Sequence, residues 1–305
     1  METTATAISR SCVKALSRLC LPALLPFTVS ICKAAIILNC VGDSITAGDG
    51  YPTKLQGLLG TNYLVQNYGL SGATLLKQGD KPYCSTSNYT LSHGQSSATA
   101  PDVVIIMLGS NDAKPWNWVY GTNYVSDYLD LIATYVTNQY RPNPRILICT
   151  PPPAWGDGFT IDPGILATNI SPRIRQLGSE QSIQVIDMQR LLAGHNEWFS
   201  DGVHPNPQGT SVMAAIAYTA LQADPTNDAA PALGIGLTSQ KVVLKWPAAG
   251  AGWVLQFASV LGNPKAWRIS LDAAVNDGTS VRVTNSVSAQ KLVFRLWNPS
   301  VPIDD

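Results

Sequence analysis

Asp102-Val103-Val104-Ile105-Ile106-Met107-Leu108-Gly109 is an unbroken apolar run with an acid before it and a glycine after it. It lacks the in–out alternation of a strand with one wet face. Such a run predicts a parallel strand covered by helices on both sides. Comparable short runs flank it at Ala35–Val41, Leu64–Asn67, Arg145–Thr150 and Ile183–Asp187. Between them, Val125, Tyr128, Leu129, Ile132, Tyr135 and Val136 recur at helical spacing, and Tyr51–Leu59, Pro163–Gly178 and Thr210–Leu221 read as further helices. Strand and helix in repetition predict a doubly wound α/β sandwich over 35–222. Ligands of such sheets bind at the carboxyl ends of the strands, where Ser44, Asn111 and Pro151 fall.

The pattern changes after 223–233, Ala-Asp-Pro-Thr-Asn-Asp-Ala-Ala-Pro-Ala-Leu, which reads as a linker. From 234 to 305 the apolar period is two. Val242, Leu244 and Trp246 share one face, as do Trp253, Leu255 and Phe257, Val281 and Val283, and Leu292, Phe294 and Leu296. Gly250, Gly252, Gly262, Asn263-Pro264 and Asp277-Gly278 mark turns. The expectation is a small all-β sandwich of five to seven strands, resembling the immunoglobulin-like or fibronectin-like modules of secreted enzymes. Trp246 and Trp253 share faces with aliphatic residues, which assigns them to packing. Trp267 and Trp297 complete the tryptophans of this part.

The 305 residues carry 20 Lys plus Arg against 20 Asp plus Glu, and only 13% are charged. With no basic stripe and no acidic tail, neither nucleic acid nor a cationic partner is expected; the partner is small or neutral. Arg10, Lys14 and Arg18 precede a charge-free stretch, Leu19 to Ile31, broken by Pro22 and Pro26. That stretch is shorter than the ~20 apolar residues of a comfortable membrane span. Residues 1–34 therefore read as an export signal cut after Ala34, with a secreted or periplasmic product and no stable membrane span. A lipid anchor on Cys32 is disfavoured by the bulky Ile31 before it. Of the six cysteines, Cys40 and Cys149 sit in apolar runs as core thiols, and Cys84 has no obvious mate. No Cys-x-x-Cys spacing points to metal or redox work, so no cofactor is expected.

Chemistry is concentrated in four short segments. Gly42-Asp43-Ser44-Ile45-Thr46 follows the first strand and puts Ser44 at a strand end, with its own N–H expected at a helix entrance. Asp201-Gly202-Val203-His204-Pro205 supplies a carboxylate and an imidazole together. Serine is a poor nucleophile alone; a base to take its proton and an acid to orient that base are what it needs. His93 and His195, the other histidines, lie in polar segments and read as bystanders. Asp187, at the end of the fifth strand, is the rival acid, better read as a turn or cap. Asn67-Tyr68-Gly69-Leu70-Ser71-Gly72 ends the second strand with glycines that let a backbone N–H approach a ligand. Gly109-Ser110-Asn111-Asp112 ends the third and offers the Asn111 amide to the same pocket.

In this order the segments resemble the SGNH (GDSL-type) hydrolase superfamily over about residues 36 to 222. Gly42-Asp43-Ser44 matches block one, Gly69-x-Ser71-Gly72 block two, Gly109-x-Asn111-Asp112 block three and Asp201-x-x-His204 block five. The resemblance implies a three-layer, flavodoxin-like α/β domain with Ser44 as nucleophile, His204 as base and Asp201 as its orienting acid. It also implies an oxyanion hole made by the backbones of Ser44 and Gly72 and the side chain of Asn111, with no metal.

Trp116, Trp118 and Trp155 lie on the strand-end loops, the last after Pro151-Pro152-Pro153, and suit stacking on a sugar. Lys77-Gln78-Gly79-Asp80-Lys81-Pro82-Tyr83 is another rim segment. The segment pattern is similar to bacterial sialate and xylan O-acetylesterases, which implies a small-molecule or polysaccharide ester as substrate and deacetylation of a glycan as the reaction. The alternatives are a short-chain lipolytic, aryl or thioester hydrolase, an acyltransferase, and, outside enzymes, a surface glycan-binding protein.

Overall fold

The computed structural model describes residues 34–156, 158–222 and, beyond them, segments between 232 and 297. The expected export signal, nearly all of the linker, and the turn residues Gly250, Gly252, Gly262, Asn263-Pro264 and Asp277-Gly278 lie outside the described residues. So do Trp267 and the side chain of Trp297. Five strands form one parallel sheet: β1 (Ile36–Gly42), β2 (Tyr63–Gly69), β3 (Val103–Met107), β4 (Arg145–Cys149) and β5 (Gln184–Ile186). They run in the order β2-β1-β3-β4-β5, the flavodoxin-like order whose reversal between β1 and β3 opens a crevice at the carboxyl edge. All of β3 is buried, as is β1 apart from its first residue, so helices do cover both faces of the centre.

The helices are α1 (Tyr51–Leu59), α2 (Ser87–Ser92), α3 (Pro115–Trp118), α4 (Tyr124–Val136), α5 (Pro163–Ile165), α6 (Ser171–Gln181), α7 (Met188–Leu191) and α8 (Pro207–Gln222). α1 packs on α8, and α4 packs on α6, as the two flanking layers. Cys40 and Cys149 are buried free thiols in the shared core, among Leu38, Ile105, Ile106, Tyr128 and Ile148. Burial pushes the Cys40 thiol up to about 12, which keeps it protonated and unreactive.

Two helices differ from expectation for local reasons. The helix expected over Pro163–Gly178 is divided by a π turn at Leu166–Ile170. Pro172 has no N–H to donate, so the ladder widens just before it. α8 begins at Pro207 rather than Thr210 because Asn206 Oδ1 accepts from the N–H groups of Gln208 and Gly209, both at 3.0 Å. β5 stops at Ile186 because the Asp187 side chain turns to cap α7.

The C-terminal part folds as two antiparallel sheets. β6 (Gly234–Thr238), β7 (Lys241–Pro247), β10 (Val275–Asn276) and β11 (Ser280–Ser286) form one, in the order β10-β11-β7-β6. β8 (Val254–Ala258), β9 (Arg268–Ile269) and β12 (Val293–Trp297) form the other, in the order β12-β8-β9. Leu244, Trp246, Val281 and Val283 from the first sheet meet Leu255 from the second in one apolar cluster, with Phe294 and Leu296 against it. Trp246 is therefore a core residue, as its face predicts. Trp253 lies just before β8 and is half-buried.

The end of β2 meets the turn after β1 at Gly69, where a Cβ would stand 2.3 Å from the Ala47 nitrogen. Asn67 stitches the same junction by donating to Thr46 O at 2.7 Å and accepting from Gly69 N–H at 2.9 Å. Gly69→Ala is expected to lower stability by about 1–3 kcal/mol and to reduce any activity that depends on Ser44. Urea unfolding measures the first; an unchanged midpoint would mean the junction yields freely.

Candidate active site

Ser44 sits on a tight turn held by its neighbour. Asp43 O accepts from Thr46 N–H at 3.2 Å and Ala47 N–H at 3.0 Å, while Asp43 Oδ1 accepts from Ile45 N–H at 3.0 Å. Only glycine fits before it, since a Cβ on Gly42 would lie 2.1 Å from Thr46 Oγ1 and 2.8 Å from Met107 O. α1 begins only at Tyr51, so this turn, and not the helix entrance expected from the sequence, orients the Ser44 N–H.

Asp201 builds the second element alone. Its Oδ1 accepts from Val203 N–H at 2.9 Å and His204 N–H at 2.7 Å, and its Oδ2 lies 2.8 Å from His204 Nδ1. His204 Nε2 is 2.9 Å from Ser44 Oγ. Burial alone would raise the Asp201 pKa, but the hydrogen bonds from His204 and Val203 outweigh it and hold the carboxyl below its usual value. An ionised Asp201 keeps the imidazole proton on Nδ1 and leaves Nε2 to accept from the serine hydroxyl. This is the arrangement in which a hydroxyl loses its proton as it attacks a carbonyl. The loop needs Gly202, at φ +81° with its Cα against the Trp155 carbonyl: a Cβ would stand 2.2 Å from that oxygen. Trp155 N–H in turn donates to Gly202 O at 2.8 Å.

The rival groups are engaged elsewhere. Asp187 accepts from Arg175 at 2.7 and 3.1 Å and from the Thr150 hydroxyl at 3.1 Å, tying β4 and β5 to α6. His93 bonds Tyr89 O and Thr134, and burial lowers its pKa. His195 bonds Glu197 and stacks on Trp198 at 3.7 Å.

Beside Ser44 stand the loops after β2 and β3. Gly72 adopts φ +80°. Asn111 is buried and donates one amide hydrogen to Ala73 O at 3.2 Å, which leaves the other uncommitted. The backbone N–H groups of Ser44 and Gly72 donate to no group among the described residues. Asp112, given no role by the sequence reading, clamps the two loops together. Its fully buried carboxylate accepts from Leu75 N–H at 2.9 Å and Leu76 N–H at 2.7 Å. Its one sequence signal is its place in the motif after a fully buried strand; being buried there, it must find partners.

The three tryptophans differ. Trp116 is 48% exposed, with Nε1 donating to Asp80 Oδ2 at 3.0 Å. Asn117 bridges the same Asp80 to Asn111 O, which fixes the rim segment 77–83 against the Asn111 loop. Trp118 is half-buried against Tyr124 at 5.7 Å and beneath Arg173 at 5.3 Å. Trp155 packs on Phe199 at 4.9 Å. Phe159, unnoticed in the sequence, lies 4.8 Å from the His204 ring at an interplanar angle of 88°. It and Thr160 adopt φ +57° and +58°, a left-handed backbone costing roughly 1–2 kcal/mol per non-glycine residue.

Sheet order and flanking helices put the chain in the doubly wound α/β class that the SGNH resemblance implies. More specifically, a family model described as GDSL-like Lipase/Acylhydrolase family matches residues 40–212, and the chain belongs to that family. It is 34% identical over 212 residues to an acetylxylan esterase of Xylanibacter ruminicola, a match covering 62% of this chain. The chain spans 43% of that relative's length. Among solved structures, a carbohydrate acetylesterase family member from Sinorhizobium meliloti shares the fold, with TM-score 0.51 and 22% identity over 61% of this chain and 97% of that one.

Two buried acids make stability depend on pH. Burial lifts Asp43 from 3.8 to about 6, with the Ile45 N–H, the neighbouring Ser110 hydroxyl and the His204 charge pulling it back. Burial lifts Asp112 from 3.8 to about 7 against the pull of Leu76 and Leu75 N–H, and the nearby Asp43 adds to the rise. The folded state holds these protons more tightly than the unfolded one. Their stabilisation is full below 3.8 and is lost as pH rises through about 6 and about 7. Melting temperature should therefore fall across that window, and Asp112→Asn should flatten the fall while lowering stability through one unpaired N–H. An identical slope in the variant would contradict the assignment.

Proposed function

We propose that this chain is a serine esterase that removes short acyl groups, acetyl first, from a carbohydrate. The observation that carries the chemistry is the series Ser44 Oγ, His204 Nε2, His204 Nδ1, Asp201 Oδ2, with contacts of 2.9 and 2.8 Å. Ser44 attacks the ester carbonyl as neutral His204 takes its proton, and Asp201 steadies the imidazolium. The oxyanion is met by the Ser44 and Gly72 N–H groups and the free Asn111 amide hydrogen. His204 then returns the proton to the departing alcohol, and water releases the acyl group from Ser44 by the same route. Membership of an acylhydrolase family supports the reaction class, and the acetylxylan esterase relative supports acetyl on a sugar. The exposed Trp116 ring beside the Asn111 loop offers a stacking face that suits a glycan.

In this scheme residues 35–222 carry the chemistry, 223–233 join them to a separate module at 234–305, and residues 1–34 direct export. The charged lead and apolar stretch of the N-terminus support the last point.

Acetate release from acetylated xylan, acetylated sialic acid and pectin, set against longer acyl esters, tests the substrate. Ser44→Ala should abolish turnover of a nitrophenyl acetate, and Asn111→Ala should lower kcat about 10²–10³-fold. Asp201→Ala should cost far more activity than Asp187→Ala; the reverse order would move the acid to Asp187. Wild-type protein that binds polysaccharide but turns over no ester would sink the enzyme reading.

A further inference from the structure

In the scheme above, His204 must hand a proton to the departing alcohol oxygen. The alcohol half of the ester therefore lies against His204, while the carbonyl oxygen faces the Asn111 and Gly72 side. A large apolar group stands beside that imidazole: Phe159. Its ring stands 4.8 Å from the imidazole and nearly perpendicular to it, yet is 58% exposed. A phenylalanine needed only to support His204 would be buried behind it; this one leaves much of its surface to solvent at the site.

The loop that carries Phe159 is tied to both sides of the site. At one end Trp155 N–H bonds Gly202 O at 2.8 Å, and the Gly158 Cα rests on the acid–base loop, where a Cβ would stand 2.7 Å from Asp201 O. At the other end Asp162 N–H donates to Ala113 O at 3.2 Å, directly after the Asn111 segment. Between these ties, Phe159 and Thr160 take the left-handed backbone that side chains avoid. The loop thus presents an exposed aromatic ring at a fixed place over the base.

We propose that Phe159 is a specificity-determining residue: its ring walls the subsite for the alcohol half of the ester and stacks on the apolar C–H face of a sugar ring. This rests on the esterase reading above and goes beyond it by placing the sugar on the His204 side.

The test compares two acetates that differ only in alcohol, a methyl glycopyranoside monoacetate and ethyl acetate, in wild type, Phe159→Ala and Phe159→Tyr. Phe159→Ala should lose about tenfold or more in kcat/KM on the glycoside, the size of one lost stacking contact. It should change little on ethyl acetate, with the pH–rate profile unmoved. Phe159→Tyr, which keeps the ring, should retain the glycoside rate. Preference between acetate and butyrate of one alcohol should be the same in all three proteins. An equal loss on both acetates, or a shifted acid limb, would make Phe159 a support for His204 and overturn the assignment, as would no loss on either. If the wild type turns over neither ester, the esterase reading fails and this one with it; the other outcomes overturn the Phe159 assignment alone.

Discussion

One interaction is used three times to hold this site: an aspartate side chain accepting backbone N–H groups of a loop that lines it. Asp43 does so for Ile45, Asp112 for Leu75 and Leu76, and Asp201 for Val203 and His204. Each bond removes freedom from a loop that has no ladder of its own, and each loop carries one of the groups assigned to the chemistry. The acids differ in electrostatic cost. Asp43 and Asp112 are buried and their carboxyls are pushed upward, whereas Asp201 is half open to solvent and its hydrogen bonds hold it down. The anion the scheme needs beside the imidazole is thus the one kept charged, while the two inner acids serve the scaffold.

The sheet explains why these loops meet. β1 and β3 are neighbours at the point where strand order reverses, so the turn after one and the loop after the other open on the same crevice. The glycines at 42, 69 and 202 let backbone approach backbone there at distances no side chain would permit.

Much of this was legible in the chain. An apolar run without alternation marked β3 as buried on both sides, short polar motifs after such runs marked Ser44, Gly72 and Asn111, and a carboxylate three residues before an imidazole marked Asp201 and His204. Less legible was what depends on contacts across the fold. Asp112 reaches Leu75 and Leu76, far upstream in sequence, and no local pattern marks that pairing. Nor does anything local mark the left-handed backbone of Phe159, which follows from ties to the Asp201 and Asn111 loops. The tryptophans were legible as rim residues but not by exposure: Trp116 is 48% exposed even with the Lys114 ammonium 5.9 Å over its ring, while Trp118 and Trp155 spend theirs on Arg173, Tyr124 and Phe199. The start of α8 at Asn206-Pro207 was a readable cap signal that helical periodicity alone passes over.

Ser44 is proposed as the activated hydroxyl, made so by His204 Nε2 at 2.9 Å. Labelling with an activated phosphonate ester, followed by peptide mass spectrometry, tests it most directly. A single covalent adduct per chain is expected on the peptide containing Ser44, formed far more slowly in His204→Ala and absent in Ser44→Ala. An adduct on another residue, or labelling of Ser44 at the same rate without His204, would contradict it.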